Sequence, residues 1–309
     1  VGLSGVEQTF DLALRGKAGS SQLEVNALGR VIRELDRKEG KTGQNIVLTI
    51  DTSLQKQAMK ALEGKTGSIV VLDVHTGATM VQASSPSFDP NNFTNGISEN
   101  EWKELSEDER APLRNKAIAG EYAPGSTFKM IVALAALEAG IINKNTSFFC
   151  SGSLTLGDGK FHCWKRHGHG ITNLKKGIAQ SCDVYFYELS RRVGIDRIAI
   201  MAKRFGLGQN LDLDISGSRP GLIPNKAWKK AAIGKSWVRG ETLLAAIGQG
   251  FVLTTPMQLA TMVARLANGG KAITPFVARD VISRNKIISR TDLPASDMGL
   301  NPNHLRMVL

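Results

Sequence analysis

A serine and a lysine capable of acyl-transfer chemistry occur in Gly125-Ser126-Thr127-Phe128-Lys129. A Ser three residues before a Lys at the start of a helix places both side chains on one face, about 5–6 Å apart at Cβ. Ser126 is then positioned as a nucleophile and Lys129 as its base. The helix N-terminus also favours negative charge, and its free N–H groups can bind an oxyanion. The sequence therefore predicts an acyl-serine site, provided that burial keeps Lys129 in its neutral form.

The specificity of this pattern rests on its context. Ser-x-x-Lys also begins at Ser53 and at Ser283, but only Ser126 follows a Pro-Gly bend and opens an apolar helix. From local evidence alone, an alternative stays open in which Ser126 is only a helix cap and Lys129 a surface residue.

A second polar group lies in Ser181-Cys182-Asp183, between a predicted helix and the apolar run that starts at Val184. A serine with a polar partner two residues later can relay protons near a nucleophile. The position of this tripeptide after the Ser-x-x-Lys helix favours such a role for Ser181 and Asp183.

The three cysteines, Cys150, Cys163 and Cys182, share a short window with three of the five histidines. Thiolates and imidazoles suit tetrahedral zinc, so we predict a metal site formed by the three cysteines and His169. Two alternatives stay open. The cysteines are buried free thiols, or Cys150 and Cys163 form a disulfide in an oxidising compartment.

The elements that must position these residues follow from hydrophobic spacing and turn signals. Residues 1–45 show little periodicity and are interpreted as an edge or connecting piece. Residues 84–116 form a polar surface excursion with an acidic helix, and residues 151–170 an irregular stretch. The pattern predicts strands at 46–50, 67–73 and 78–83, and helices at 51–62, 124–140, from 174, and at 198–205, 242–248 and 256–267. Residues 184–193 form a second apolar segment.

Composition limits the class of protein. The 309 residues are 42% hydrophobic and 22% charged, with 39 Lys plus Arg against 28 Asp plus Glu, a net charge of +11. This is typical of a folded globular chain. The longest apolar stretch, at 130–139, falls well short of the roughly 20 residues that cross a bilayer. The missing initial Met leads us to expect a fragment.

A basic cluster at Lys226, Lys229, Lys230, Lys235 and Arg239 is interleaved with Trp228 and Trp237. Such a cluster can bind nucleic acid or anionic lipid. A solvated helix face is the more ordinary interpretation, and we predict no nucleic-acid partner.

Several longer motifs follow one another in a familiar order. They resemble the penicilloyl-serine transferases, and more closely the class B penicillin-binding proteins of the elongation, or rod-system, type (penicillin-binding protein 2). The motifs that carry this resemblance are Gly5-Val6-Glu7, Leu48-Thr49-Ile50-Asp51, Tyr122-Ala123-Pro124-Gly125-Ser126-Thr127-Phe128-Lys129, Gly168-His169-Gly170, Ser181-Cys182-Asp183, Gly194-Ile195-Asp196, Gly248-Gln249-Gly250 and Thr254-Thr255-Pro256-Met257-Gln258-Leu259.

The resemblance implies an α+β penicilloyl-serine transferase fold, with an antiparallel sheet flanked by helices. Residues 1–45 would be the remnant of an N-terminal pedestal domain, and residues 46–309 a transpeptidase domain lacking its C-terminal strands. The implied activity is that of a peptidoglycan DD-transpeptidase. Its catalytic residues would be Ser126, Lys129, Ser181 and Asp183, and its oxyanion and substrate-binding residues Ser126, Gly248, Gln249 and Gly250.

The resemblance also implies partners and a location. We expect peptidoglycan stem peptides, the lipid-linked precursor and β-lactams as ligands, and an elongation-complex glycosyltransferase as a partner. The expected location is the periplasmic face of the bacterial inner membrane, with an anchor outside this chain. No cofactor is expected for catalysis, and the zinc ion would be structural.

One departure from the family pattern is that no Lys-Thr/Ser-Gly motif follows Gly250. The tripeptides at Lys41 and Lys65 precede the nucleophile and are interpreted as turns. Without the third motif we expect weak acylation. Two rival functions stay open: a class D β-lactamase, against which Asp183 argues, and a β-lactam-sensing or scaffold module without turnover.

Overall fold

The structure is a computed structural model that describes residues 2–93, 96–283, 286–289 and 295–309. Arg284 and Asn285, which lie within the Ser-x-x-Lys pattern that starts at Ser283, are outside the described residues. The described helices are α1 Gly5–Thr9, α2 Asp11–Leu14, α3 Thr52–Ala61, α4 Glu99–Glu107, α5 Lys116–Ala119, α6 Lys129–Glu138, α7 Leu174–Ala179, α8 Asp183–Val193, α9 Ile195–Arg204, α10 Lys226–Ile233, α11 Arg239–Ala246, α12 Pro256–Ala267 and α13 Pro302–Val308.

The strands form small antiparallel sheets. The strand bounds are β1 Ser20–Val25, β2 Val31–Lys38, β3 Asn45–Leu48, β4 Gly67–Leu72, β5 Thr79–Ser85, β6 Ser147–Cys150, β7 Ser153–Leu156, β8 Gly159–His162, β9 Gly170–Asn173, β10 Ala278–Ser283 and β11 Lys286–Ser289. β10 is the centre of a three-stranded sheet in the order β11-β10-β3, and β1-β2, β4-β5, β6-β9 and β7-β8 form pairs. This confirms the predicted α+β class.

Helix α6 is the centre of the main hydrophobic core. Every residue from Ile131 to Leu137 is buried, and α8, α9 and α13 pack around the helix. A helix that is apolar on all sides must be surrounded by protein. The first residue of α6, Lys129, is therefore held at the edge of this core.

Two stretches differ from the sequence interpretation. The supposed connecting piece 1–45 contains α1, α2 and the hairpin β1-β2, and the supposed irregular stretch 151–170 contains the hairpin β7-β8. Nearly all residues of β1 and β2 are exposed, so the alternation of apolar and polar residues that marks a half-buried strand is missing. Strands β7 and β8 have only four residues each. Within the described ranges, none of the helices combines the length and apolarity needed to cross a membrane.

The turn between α7 and α8 brings the second polar motif to the end of α6. Cys182 caps α8, and its Sγ accepts a hydrogen bond from the backbone N–H of Tyr185. The buried ring of Tyr185 packs directly on Gly177 of α7, where a Cβ atom would lie 2.8 Å from Tyr185 Cδ1. The absence of a side chain at Gly177 therefore sets how closely the two helices approach.

Substituting Gly177→Ala tests this approach. We expect the free energy of unfolding to fall by about 1–3 kcal/mol, because Tyr185 must move to admit the methyl group. Urea denaturation provides the measurement. The control is Gly67→Ala, whose Cβ would meet only Leu62 at 3.9 Å. Equal stability of the two variants would contradict the packing argument.

Candidate active site

The buried ammonium group of Lys129 connects the two polar motifs. Its Nζ donates to the carbonyl oxygen of Ser181 at 3.0 Å, to Ser181 Oγ at 2.9 Å and to Asp183 Oδ1 at 2.6 Å. The side chain of Lys129 is only 3% exposed. Lys129 is therefore not a surface residue, which removes the structural alternative left open by the sequence.

The hydroxyl of Ser181 connects Lys129 to Ser126. Ser181 Oγ lies 2.8 Å from Ser126 Oγ, so a continuous hydrogen-bonded path runs from Lys129 Nζ through Ser181 to Ser126. We expected Lys129 and Ser126 to touch directly, because they lie three residues apart. In the structure Ser126 belongs to a 3₁₀ turn, Gly125–Phe128, that precedes α6, and the path passes through Ser181.

Ser181 adopts a strained backbone conformation. Its φ angle is +49°, in the left-handed region that non-glycine residues rarely occupy. Such a conformation costs about 1–3 kcal/mol and persists only where the surrounding contacts impose it. Here the Ser181 N–H donates to Ile178 O at 3.0 Å, and the Cys182 N–H donates to Gly177 O at 2.9 Å. The strained turn directs both the carbonyl oxygen and the hydroxyl of Ser181 toward Lys129.

Trp164 is a residue of this site that the sequence interpretation missed. Its backbone N–H donates to Asp183 Oδ2 at 3.0 Å, and its indole Nε1–H donates to the carbonyl oxygens of Gln180 and Ser181, each at 3.1 Å. The side chain is nevertheless 64% exposed. A fixed and exposed indole beside Ser181 offers a flat surface to a ligand. The only sequence signal was its position next to Cys163.

Glycine is required where the segment after α11 touches the nucleophile turn. The Gly125 N–H donates to Gly248 O at 3.0 Å, and a Cβ on Gly248 would lie 2.2 Å from Gly125 O. The N–H groups of Gly248 and Gln249 donate to Ala245 O and Leu244 O. Gly248 therefore supports the backbone of the nucleophile turn. The oxyanion role assigned to Gly248, Gln249 and Gly250 stays a prediction.

The four predicted metal ligands converge in the structure. The Sγ atoms of Cys150, Cys163 and Cys182 and a ring nitrogen of His169 all lie within 4.8 Å of one another, and all four residues are buried. Nδ1 of His169 is 3.6 Å from Cys150 Sγ and 3.5 Å from Cys163 Sγ. All three cysteines are free thiols.

These distances fit a tetrahedrally coordinated metal ion. Zn–S bonds of about 2.3 Å and Zn–N bonds of about 2.0–2.1 Å give S···N edges of about 3.6 Å. Burial lowers the pKa of His169, which favours the neutral imidazole that a metal requires. Burial also raises the pKa of the Cys182 thiol to about 12, so in this setting a bound cation is what would make it a thiolate.

The two clusters share backbone. Cys182 lies between Ser181 and Asp183, and Cys163 directly precedes Trp164, which binds Asp183 through its N–H. The Trp164 and His169 rings are in edge contact, with centroids 5.3 Å apart. Fixing the thiol cluster therefore also fixes the backbone that carries the polar groups around Lys129.

Together these contacts form an arrangement suited to acyl transfer. Ser126 is exposed to solvent, whereas the amine that can receive its proton is buried. The hydroxyl between them can take one proton and pass on another in the same direction.

Comparison with known proteins agrees with this chemistry. The profile of the penicillin-binding protein transpeptidase domain matches residues 67–306, and that of the penicillin-binding protein dimerisation domain matches residues 1–48. Peptidoglycan D,D-transpeptidase MrdA of Salmonella typhimurium is 38% identical over 279 residues, which are 90% of this chain and 45% of the relative. MrdA of Acinetobacter baumannii is 39% identical over 281 residues, 90% of this chain and 42% of the relative. The chain thus spans less than half the length of these relatives.

Solved structures show the same fold. Penicillin-binding protein PBP2 of Helicobacter pylori, in its complex with MreC, superposes with a TM-score of 0.87 at 34% identity, covering 100% of this chain and 55% of that one. PBP2 of Pseudomonas aeruginosa, in complex with WCK 5153, gives a TM-score of 0.82 at 39% identity, covering 88% of this chain and 60% of that one.

Substituting Asp183→Asn tests the buried ion pair. We expect the free energy of unfolding to fall by about 3 kcal/mol, because the Lys129 ammonium stays buried without its counter-charge. The double variant Lys129→Met/Asp183→Asn should recover part of that loss. Urea denaturation of the wild type, Asp183→Asn, Lys129→Met and the double variant gives the coupling free energy.

The matched control is the exposed pair of Lys271 and Asp297, whose side chains are 50% and 63% exposed. Lys271→Met should cost less than about 1 kcal/mol. If Asp183→Asn cost no more than this control, the ion pair could not be what holds the site together.

Proposed function

Because this chain belongs to the penicillin-binding protein transpeptidase family, we propose that it carries the acyl-transfer site of a peptidoglycan D,D-transpeptidase. The observation that carries the proposal is the path from Lys129 Nζ to Ser181 Oγ, 2.9 Å, and from Ser181 Oγ to Ser126 Oγ, 2.8 Å. The exposed hydroxyl of Ser126 is the end of this path that a substrate can reach.

In the first half-reaction, Ser126 Oγ attacks the carbonyl carbon of the penultimate D-Ala of a pentapeptide stem. The Lys129 ammonium that pairs with Asp183 must first release one proton to solvent. The Ser126 proton then passes to Ser181, and the proton of Ser181 moves to the free amine of Lys129. As the amide C–N bond breaks, the proton returns along the same path to the amine of the departing D-Ala. Asp183 orients Lys129 throughout, and an acyl ester on Ser126 remains.

In the second half-reaction, an amine of a neighbouring stem attacks that ester. Ser181 and Lys129 remove the amine proton and return a proton to Ser126 Oγ as the ester bond breaks. The products are a cross-linked peptide and the free Ser126 hydroxyl.

An apolar groove beside the nucleophile turn bears on the missing third motif. It has a volume of about 440 Å³ and lies between β4 and α12, with Thr127 in its lining. Within the described part of the chain, β4 pairs only with β5, so its other edge stays available. We assign this edge and groove to a strand that carries Lys-Ser/Thr-Gly, the motif that the family resemblance implies.

Two rival functions are separated by residue chemistry and by kinetics. A class D β-lactamase resembles this chain at Ser126 to Lys129, but its second motif has an apolar residue where Asp183 contacts Lys129 here. A β-lactam sensor would acylate without cross-linking. If this chain is a transpeptidase, β-lactams should form a long-lived ester on Ser126. If it is a lactamase, it should hydrolyse that ester and release the product quickly.

The Cys and His cluster is assigned to a structural zinc ion. Cys150, Cys163, Cys182 and His169 would hold it, and the ion would supply charge and rigid geometry without entering the reaction. The Nε2 atom of His169 has no hydrogen-bond partner among the described residues. Because Nδ1 faces two sulfur atoms, Nδ1 is the nitrogen that would bind the ion.

The proposed partners follow from the relatives. One solved relative is PBP2 with MreC, and another belongs to a peptidoglycan synthase complex that coordinates polymerization and crosslinking. We propose that this chain works beside a glycosyltransferase on the periplasmic face of the inner membrane, held by an anchor outside residues 1–309. Apolar side chains exposed on the hairpin β1-β2 offer a contact surface for such a partner: Leu23, Val25, Val31, Ile32 and Leu35.

Acylation of Ser126 is the direct test of the proposed function. We expect intact-mass spectrometry of the full-length protein, after incubation with benzylpenicillin, to show one penicilloyl group that persists for many minutes. Ser126→Ala should abolish the adduct. The matched control is Ser53→Ala, which alters another Ser-x-x-Lys serine and should leave acylation unchanged.

Three outcomes would count against this function. Acylation of Ser126→Ala would remove the nucleophile assignment, and rapid loss of the adduct would support a lactamase. A stable adduct without cross-linking of stem peptides ending in D-Ala-D-Ala would support a sensor.

Metal content tests the zinc assignment separately. We expect elemental analysis to find about one zinc ion per chain in protein purified without chelators. Cys163→Ser should lose the ion, whereas His167→Ala, which alters an exposed histidine in the same segment, should retain it. Metal-free protein with three titratable thiols, or with a Cys150–Cys163 disulfide, would refute the assignment.

A further inference from the structure

A cavity of about 590 Å³ lies where the end of α8 meets the first turns of α9, α10 and α11. Among the described residues that line it, Glu188 is the one carboxylate. The basic side chains in this lining are Arg191, Arg192, Lys226 and Arg239. Asp183, at the start of α8, lies about 13 Å from Arg192 along the helix axis, so this cavity is distinct from the nucleophile site.

The basic cluster seen in the sequence is divided by the fold. Lys229 is buried and pairs with Glu241, and its Nζ also lies 5.9 Å from the centre of the Trp237 ring. The charge of Lys229 is therefore neutralised by Glu241 inside the protein. Lys226 and Arg239, in contrast, are exposed and reach the cavity, where Arg191 and Arg192 from the distant α8 join them.

The cations of the cavity form only weak ion pairs, or none, with other groups of the described residues. Arg191 pairs with Glu188 at 3.3 Å and Lys226 with Asp196 at 3.2 Å, and both pairs are substantially exposed. Exposed pairs of this kind contribute little and exchange readily for a stronger anion. Arg239 has no hydrogen-bond or ion-pair partner among the described residues.

Arg192 is held in place without losing its hydrogen-bond donors. Its guanidinium group stacks 4.3 Å from the centre of the Phe148 ring. Stacking occupies the face of the guanidinium plane and leaves its N–H edge free for two oxygens of one anion. The buried hydroxyl group of Thr242 and the ring of Trp237 complete one wall.

We propose that this cavity binds a phosphate or pyrophosphate group. Several guanidinium groups around one concave site match the multiple oxygens and double charge of such an anion better than they match a single carboxylate. A cavity also selects a compact group, whereas a flat basic face would not. The group can come from a soluble molecule or from a phospholipid headgroup, and both present the same chemistry. The inference does not depend on the transpeptidase assignment.

Isothermal titration of the full-length protein with inorganic pyrophosphate tests the site. We expect saturable binding that weakens as ionic strength rises, and at least about a 10-fold loss of affinity in Arg239→Gln. Arg239 is the first residue of α11, and removing a cation from a helix N-terminus does not harm the helix. Arg192→Gln should give a similar loss. Lys144→Gln, an exposed cation outside the cavity, should bind as wild type does.

Vesicles of phosphatidylglycerol, compared with phosphatidylcholine, distinguish the two sources. Retention that Arg239→Gln abolishes would identify a headgroup, whereas pyrophosphate binding without retention would identify a soluble ligand. Absence of saturable pyrophosphate binding, or equal affinity in Arg239→Gln and Lys144→Gln, would overturn the proposal. Zinc content is measured after each titration, because pyrophosphate also binds divalent cations. Failure here would leave acylation of Ser126 unaffected, so the two proposals are tested separately.

Discussion

The burial of one ammonium group, that of Lys129, is the constraint on which the proposed active site depends. A cation removed from water must recover its lost hydration from fixed partners. Here Asp183 supplies the counter-charge, and Ser181 supplies two oxygen acceptors. To present both oxygens, Ser181 takes a left-handed backbone conformation. The turn between α7 and α8, the packing of Tyr185 on Gly177 and the position of Trp164 all support that geometry.

Much of this arrangement could be predicted from the sequence, for reasons that differ between residues. Helix α6 was evident because a fully apolar helix has an unmistakable composition. Helix α12 begins at a capping box of Thr255 and Gln258, with Pro256 as its first residue. Ser126, Lys129, Ser181 and Asp183 stand out in the sequence because their motifs are local. The structure brings their side chains together, and their catalytic roles stay a prediction. The convergence of the four Cys and His residues could be predicted because thiols and imidazoles in one short window suit a common metal ion, and that ion stays a prediction.

The remainder depended on contacts between distant segments. Trp164 enters the site through hydrogen bonds to backbone atoms of Gln180 and Ser181, which no pattern around residue 164 reveals. The route from Lys129 through Ser181 to Ser126 likewise depends on how the α7–α8 turn folds back on α6. Similarly, Arg191 and Arg192 meet Lys226 and Arg239 only because α8 ends where α10 and α11 begin. Exposed hairpins such as β1-β2 lack the periodicity that sequence reasoning requires.

The position of Cys182 between Ser181 and Asp183 has a consequence for how such a protein can change over generations. This three-residue stretch contributes to two clusters. Its outer side chains contact Lys129, and its middle side chain faces His169 and the other thiols. Mutational drift at residue 182 is thereby tied to the chemistry on either side of it. A lineage that abandons the thiol cluster must find another way to stiffen this stretch, and the compensating substitutions should appear together rather than one at a time.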